Sequence, residues 1–290
     1  MQPAVLPDVV IGRDDAVVAD NGNVKESKIT NLLHTAVMQL AGSASKEHAW
    51  QRLFRPYDIV GIKLNCPFGR IMSSHVAIVD AIFHRLKFAG VKDVNIIVFE
   101  RYNRELEAAG FRVRRATKGV QCFGTDELPQ GGYDSEPQIA GRVGTCFNKI
   151  VSKMCTAIIN VLVLKDHALA GISVAMKNFF GAMHNPNKYH TNNCNPYIAE
   201  LNSHPYIVNK VRFIVCDVIL AQYNGGPRLQ ASMDMELQRH YCRKGPCRFR
   251  QDMPYYYRSS EKKDETSLFT ASSQGAKIYL HCCHARIGNR

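Results

Sequence analysis

What this chain lacks narrows it first. No run of about 18 uninterrupted apolar residues occurs, so an ordinary membrane-spanning helix is excluded. The opening residues, Met1 to Asp8, have neither the basic start nor the apolar middle of a secretory leader, and the chain reads as cytosolic. Ten cysteines are present, yet no Cys-x-x-Cys occurs and no spacing repeats tightly. In 290 residues that pattern points to reduced thiols rather than a disulfide framework. Acidic residues are in deficit, 25 against 37 Lys and Arg, which leaves a formal charge of +12. The basic residues are scattered and not interleaved with aromatics, which argues against a nucleic-acid partner and for steering of a small anionic ligand.

What is present is enough for a full core, since 46% of the residues are hydrophobic. The chain is organised around Ala157 to Asn195. An apolar β-branched run there is followed by Lys165, Asp166 and His167, then by a helical pattern from Ser173 to Phe180, then by a loop with His184, His190 and Cys194. Before it, Lys25 to Leu40 repeats apolar residues at helical spacing, and Trp50, Leu53 and Phe54 anchor a second helix that Pro56 closes. Asp58 to Leu64 reads as a strand ending in Asn65 and Cys66. Ser74 is expected to cap the helix that follows, with Gly90 as its stop. Asn95 to Phe99 is the next strand, with Glu100 and Arg101 at its end and a short helix closed by Gly110. Gln121 to Asn148 holds no steady period and reads as an excursion or an extra hairpin. Pro196 starts a short helix, Val211 to Leu220 is another buried strand, and Tyr223 to Pro227 is a turn. Near-continuously apolar strands alternating with helices imply an α/β fold, three-layer, with a mostly parallel sheet and helices on both faces.

In such sheets ligands bind outside the carboxyl ends of the strands, where the candidate site residues are therefore placed. His167, Lys177, Lys165 and Glu100 are the candidates for acid–base chemistry, His167 because imidazole titrates near neutrality and Lys177 because apolar neighbours would desolvate it. Arg101, Arg104, Asn65, Cys66 and Asn178 are candidates for holding substrate, the two arginines by forked bonds to a carboxylate or phosphate. Cys66 reads equally well as a small buried thiol. His184, His190 and Cys194, with His167, are candidate ligands for a transition metal such as zinc, nickel or iron, against a more ordinary role in loop packing. The identity of any cofactor stays open at this point.

Several segments in order resemble the domain-of-unknown-function family 362. They are Gly61-Ile-Lys-Leu-Asn65-Cys66, Glu100-Arg-Tyr-Asn-Arg104 through Gly110, Lys165-Asp-His167 with Gly171 through Gly181, and Tyr223-Asn-Gly225-Gly-Pro227. The resemblance covers about Val9 to Gln230. It implies an uncharacterised activity and, through members that carry ferredoxin-type modules, an iron–sulphur protein partner. Past Gln230 the family's Trp-rich, Asp-Pro-Val-Ala-x-Asp and Tyr-Ile-x-Thr-Ala segments are not found. Read one base later, Met233-Asp and Met235-Glu each yield Trp, and Lys244 to Arg250 and Gly275 to Cys283 can encode the other two. Residues 1–231 are therefore expected to form a single α/β domain, and 232–290 an out-of-frame, poorly structured tail whose presence would leave the chain without part of its site wall.

Two functions follow as expectations. One is an enzyme acting on a small anionic substrate by His/Lys acid–base chemistry; its order of Glu-Arg-x-x-Arg, His and then Lys is distantly similar to that of nickel-pincer lactate racemases. The other is an iron–sulphur-associated electron-transfer accessory or binding protein.

Overall fold

The computed structural model describes residues 9–19, 21–222, 226 and 276–281. In chain order the elements are β1 (Val9–Asp14), α1 (Glu26–Leu40), α2 (Lys46–Leu53), β2 (Val60–Lys63), α3 (Val76–Leu86), β3 (Ile96–Glu100), α4 (Asn103–Ala108), β4 (Gln121–Gly124), β5 (Gln138–Ala140) and β6 (Val143–Thr145). There follow β7 (Ala157–His167), β8 (Gly171–Ser173), α5 (Ala175–Asn178), α6 (Tyr197–Asn202), α7 (Pro205–Val208), β9 (Val211–Gln222) and β10 (Ala276–His281).

Strand alternation separates the layers, because successive side chains leave opposite faces of a sheet. Val60, Ile62, Ile96, Val98, Ala157, Ile159 and Val161 join one core with the apolar stripes of α1 and α3. Ile97, Phe99 and Ile158 join a second core on the other face, with Phe179, Phe180, Leu201 and Ile207 from the short helical segments. The helix α1 commits Ile29, Leu33, Ala36, Val37 and Leu40 to burial, the spacing of a single helical face. Trp50 stacks on Phe54 and meets Phe213 of β9 edge-on, which ties α2 to the sheet.

The strands lie in the order β1-β10-β9-β7-β2-β3-β4. The run β9, β7, β2, β3, β4 is parallel, whereas β10 is antiparallel to both β1 and β9. The architecture is thus α/β with a mostly parallel sheet between helical layers, as the strand and helix patterns imply.

Two local expectations are corrected. The helix expected at Ser173 to Phe180 is only Ala175–Asn178 with a short 3-10 turn behind it. Gly171, at φ 71, reverses the chain so that Lys165, Asp166 and His167 pair with Ser173, Ile172 and Gly171 as the last rungs of β7. Ser74 does not cap α3: its hydroxyl donates to Val161 O and accepts from Asn65 N, and the first position falls to His75. The aperiodic stretch after Gln121 supplies both the edge strand β4 and the hairpin β5–β6. Within the tail expected to be irregular, Ala276–His281 forms a strand inside the sheet. The rest of 232–290 lies outside the described residues, as does the turn at Tyr223 to Pro227 except for Gly226. That glycine donates its N–H to Asp166 Oδ2 at 2.9 Å, and a Cβ there would collide with the Asp166 carbonyl oxygen. Among the described residues no helix is long and apolar enough to cross a membrane.

Candidate functional site

The parallel register sets the first cluster. Lys63 lies opposite Phe99, so the end of β2 stands beside Glu100 at the end of β3. The Lys63 ammonium is wholly buried, hydrogen-bonds Glu100 Oε2, and donates to Leu64 O at 2.6 Å. Burial pushes the Glu100 carboxyl up, and the charges of Lys63 and then Lys165 pull it back. Gly181 covers the pair so closely that a Cβ would stand 2.9 Å from Lys63 Nζ. Lys165, also buried, donates to Met72 O at 2.7 Å and lies over the Phe68 ring. Burial lowers its pKa to about 8, against the raising influence of Cys66 and Glu100. Cys66 is enclosed, and burial followed by the Glu100 charge drives its thiol well up, so it sits there as a neutral packing group. Glu105 is pushed up to about 7, first by burial and then by Glu100.

A chain of amides links this cluster to the next. Asn65 Nδ2 donates to Asn178 Oδ1, Asn178 Nδ2 donates to Asn160 Oδ1 at 2.7 Å, and Asn160 Nδ2 donates to Ala175 O. Both ends of α5 are therefore fixed to Asn160 of β7, and Asn178 also to Asn65 just past β2, which sets where Lys177 emerges.

Lys177 donates to His190 Nε2 at 3.0 Å and lies 4.1 Å from the Phe180 ring centroid. His190 Nδ1 must then carry the ring proton, which it donates to Pro186 O. His167 stacks on His190 with ring centroids 5.7 Å apart. Its Nδ1 accepts the backbone N–H groups of Leu169 and Ala170, so the neutral ring carries its proton on Nε2. Burial, then the charge of Lys177, lowers His167 to about 4; burial lowers Lys177 to about 8, with Cys194 acting in the opposite sense. Among the described residues no carboxylate forms an ion pair with Lys177.

The His167 shift has a sign that can be measured. A group depressed on folding contributes stability above its unfolded pKa of about 6.5, and that contribution is lost as pH falls through about 4. Replacing His167 by Gln should remove about 2–3 kcal/mol of the acid destabilisation between pH 6.5 and 4. Urea titrations of both proteins at the two pH values provide the comparison. Equal acid sensitivity would show that His167 protonates as easily folded as unfolded.

The remaining expected residues stand elsewhere. Arg101 donates through Nη2 to His184 O at 2.9 Å and lies 5.1 Å from the Tyr102 ring centroid, and Arg104 is exposed, 4.7 Å from the same centroid. Neither makes a hydrogen bond or ring contact with His167 or Lys177. The metal set is not assembled. His184 is exposed beside Tyr133, both ring nitrogens of His190 are already in hydrogen bonds, and burial raises the Cys194 thiol. Among the described residues no three His, Cys, Asp or Glu side chains gather in a way that would hold a metal ion.

Two groups escape the sequence reading. Lys63 hides as one residue of an apolar strand; its signal is a lysine amid Val, Gly, Ile and Leu. His75 and Asp217 pair through Nδ1 and Oδ2 at 2.7 Å, 142 positions apart, and the sole signal is one Asp in the apolar run of β9.

No curated protein matches this chain. Among solved structures it is similar to the lactate racemase apoprotein from Thermoanaerobacterium thermosaccharolyticum, at 12% identity and a TM-score of 0.38 over 60% of this chain and 43% of that one. It is also similar to a structural-genomics protein from Thermotoga maritima, at 12% identity and a TM-score of 0.37 over 74% of this chain and 54% of that one. The chain thus spans about half the length of the structures it matches. The pattern of the domain of unknown function DUF362 matches residues 60–238, more than half of the sequence, and the chain belongs to that family.

Proposed function

We propose that this protein is an enzyme that binds a small anionic substrate against Lys177 and transfers a proton to or from it with His167. The observation that carries the reading is the meeting of Lys177, His190 and His167, three nitrogen bases with no carboxylate ion-paired to them among the described residues. A desolvated ammonium whose hydrogen-bond partner is a neutral imidazole is a costly arrangement, and an incoming anion offsets that cost. Binding also changes His167. The Lys177 charge depresses it, so an anion that screens this charge raises the affinity of His167 for a proton. Glu100 and Lys63 neutralise each other behind Gly181, and the Asn65–Asn178–Asn160 chain holds α5 in place.

Replacing Lys177 by Met tests the reading. Titration calorimetry at pH 7 with acetate, lactate, succinate and inorganic phosphate should find at least one ligand for the wild type. The variant should bind it at least tenfold more weakly, about 1.4 kcal/mol. Its thermal stability should be equal or higher, because Met removes a desolvated charge from an apolar setting. Binding left unchanged by the substitution, or no binding by the wild type to any of the four, would overturn the assignment.

A further inference from the structure

A cavity that Lys177 and His167 do not line opens beside Arg101. It is a cleft of about 810 Å³ between the end of β3, the loop after β4 and the residues that flank the β5–β6 hairpin. Arg101, Tyr102, Tyr133, Cys146 and His184 line it, with Gln130 and Gly131 at its lip. The size is that of a small-molecule pocket, which typically spans about 300–1,000 Å³.

Its chemistry is lopsided. Arg101 has no ion-pair partner among the described residues: Nη2 is used by His184 O, the Tyr133 hydroxyl is in hydrogen-bonding reach, and Nε is buried without a partner. The two carboxylates at the cleft are turned to other duties. Asp126 accepts the N–H of Asn103 at the start of α4, and Asp134 accepts Ser152 Oγ and pairs with Lys153. A guanidinium left in this state favours an anion that can accept two parallel N–H bonds. The walls beside it are rings. Tyr133 meets His184 edge-on at 5.3 Å, and Arg101 lies 5.1 Å from the Tyr102 centroid. Burial drives the Tyr133 hydroxyl up to about 12, so it stays a neutral donor.

The lip is built at a cost. Gln130 stands at φ 59 and ψ 38, followed by Gly131 at φ 70 and Gly132 at φ 75. A non-glycine residue in the left-handed region costs on the order of 1 kcal/mol or more. Lys149 holds the strained turn by donating to Pro129 O at 3.1 Å and to Gln130 Oε1. Such strain is kept where a loop has to present a surface.

We propose that this cleft binds a ligand that joins a flat ring to an anionic group, the anion on Arg101 and the ring against Tyr133 and His184. The inference is independent of the role proposed for Lys177. The anion can be a phosphate, as in a nucleoside monophosphate, or a carboxylate on an aromatic ring, and the two are separable by experiment.

Cys146 supplies the readout, since it lines the cleft and is partly accessible, whereas Cys66, Cys155, Cys194 and Cys216 are buried. Iodoacetamide alkylation of Cys146 in the full chain would be followed by peptide mass spectrometry, with adenosine monophosphate, 4-hydroxybenzoate, adenosine or inorganic phosphate present. Either ring-bearing anion should slow alkylation at least fivefold, and whichever does so identifies the source. Arg101→Met should abolish that protection, and Tyr133→Leu, which keeps an apolar wall, should weaken it. The same protection from adenosine or from phosphate alone would overturn the pairing of ring and anion, as would no protection by either ring-bearing anion. Protection undiminished in Arg101→Met would overturn the role of the guanidinium. Should Arg101→Met fail to fold, retained protection in Tyr133→Leu together with equal protection by uncharged adenosine gives the same refutation. Because Lys177 takes no part, Lys177→Met should leave the protection intact, so failure of one site is distinguishable from failure of the other.

Discussion

Replacing Lys63 by methionine is expected to destabilise the protein by about 3–5 kcal/mol near neutral pH, the usual consequence of deleting one member of a buried ion pair. The Lys63 side chain has no exposed surface and that of Glu100 has 5%, so water cannot take the place of the ammonium. Methionine fills nearly the same volume, hence the loss is electrostatic and not a cavity effect. The stranded carboxylate can relieve itself only by taking up a proton. Its folded pKa, already raised by burial, would rise further above the unfolded value of 4.5. A carboxyl raised on folding contributes stability below its unfolded pKa and loses it as pH rises through the folded value. The deficit of Lys63→Met should therefore shrink towards pH 4.5 and be largest above the new pKa. Adding Glu100→Gln should recover most of the loss at pH 7, since both charges are then gone. Thermal unfolding by circular dichroism should register the single variant as a fall of roughly 10 °C. A single variant within 1 kcal/mol of wild type, or a double variant as unstable as the single, would mean that the pair carries little.

The sequence discloses this molecule unevenly, and the reasons are physical. Apolar runs such as Ile96–Phe99 and Ala157–Val163 announce strands buried on both faces, and the stripe from Ile29 to Leu40 announces a helix, because burial imposes a period. Gly90, at φ 78, ends its helix as its type suggests. Pair formation carries no such mark. Lys63 finds Glu100 only through the register of β2 on β3, and neither residue's neighbours in sequence foretell that register. The same gap explains His184, His190 and Cys194, which lie close together in the chain. The turns Pro186–Tyr189 and Thr191–Cys194, the second with Asn192 and Asn193 at positive φ, leave His184 apart beside Tyr133, while His190 and Cys194 both come near Lys177. Lys177 and His167 were detectable because ionisable groups within apolar sequence are unusual. The stacking of His167 on His190 depends on a hairpin at Gly171 where a longer helix was expected. The Arg101 cleft was least visible, since its lining comes from four separate stretches of chain, around Arg101, Asp126 to Ser135, Cys146 and His184, with no shared period.

Asp217→Ala is expected to cost about 3–5 kcal/mol, the sum of several unsatisfied buried donors. The Asp217 side chain has no exposed surface, and three N–H groups converge on it. Oδ2 accepts from the His75 backbone N–H at 3.0 Å and from His75 Nδ1 at 2.7 Å, and Oδ1 accepts from Ile219 N at 3.2 Å. The carboxylate thus serves as the missing cap of α3, supplied from β9 because Ser74 is occupied with Val161. Its negative charge also complements the positive end of that helix. Alanine would leave two backbone donors buried without acceptors and would separate α3 from the sheet. The His75 bond adds a pH signature. Burial alone would lower the imidazole, but the charge of Asp217 and its hydrogen bond outweigh that and leave the pKa raised. A base raised on folding contributes stability in full below its unfolded pKa of about 6.5 and loses it as pH rises through the folded value. The cost of Asp217→Ala should accordingly be greater at pH 6 than at pH 9. His75→Gln, which keeps the backbone N–H on Asp217, should lose this pH dependence and at most about 1–2 kcal/mol. Guanidinium titrations of the three proteins at pH 6 and pH 9 decide the matter. A cost for Asp217→Ala that does not change between the two values would show that His75 is neutral throughout, with Asp217 acting on the backbone alone.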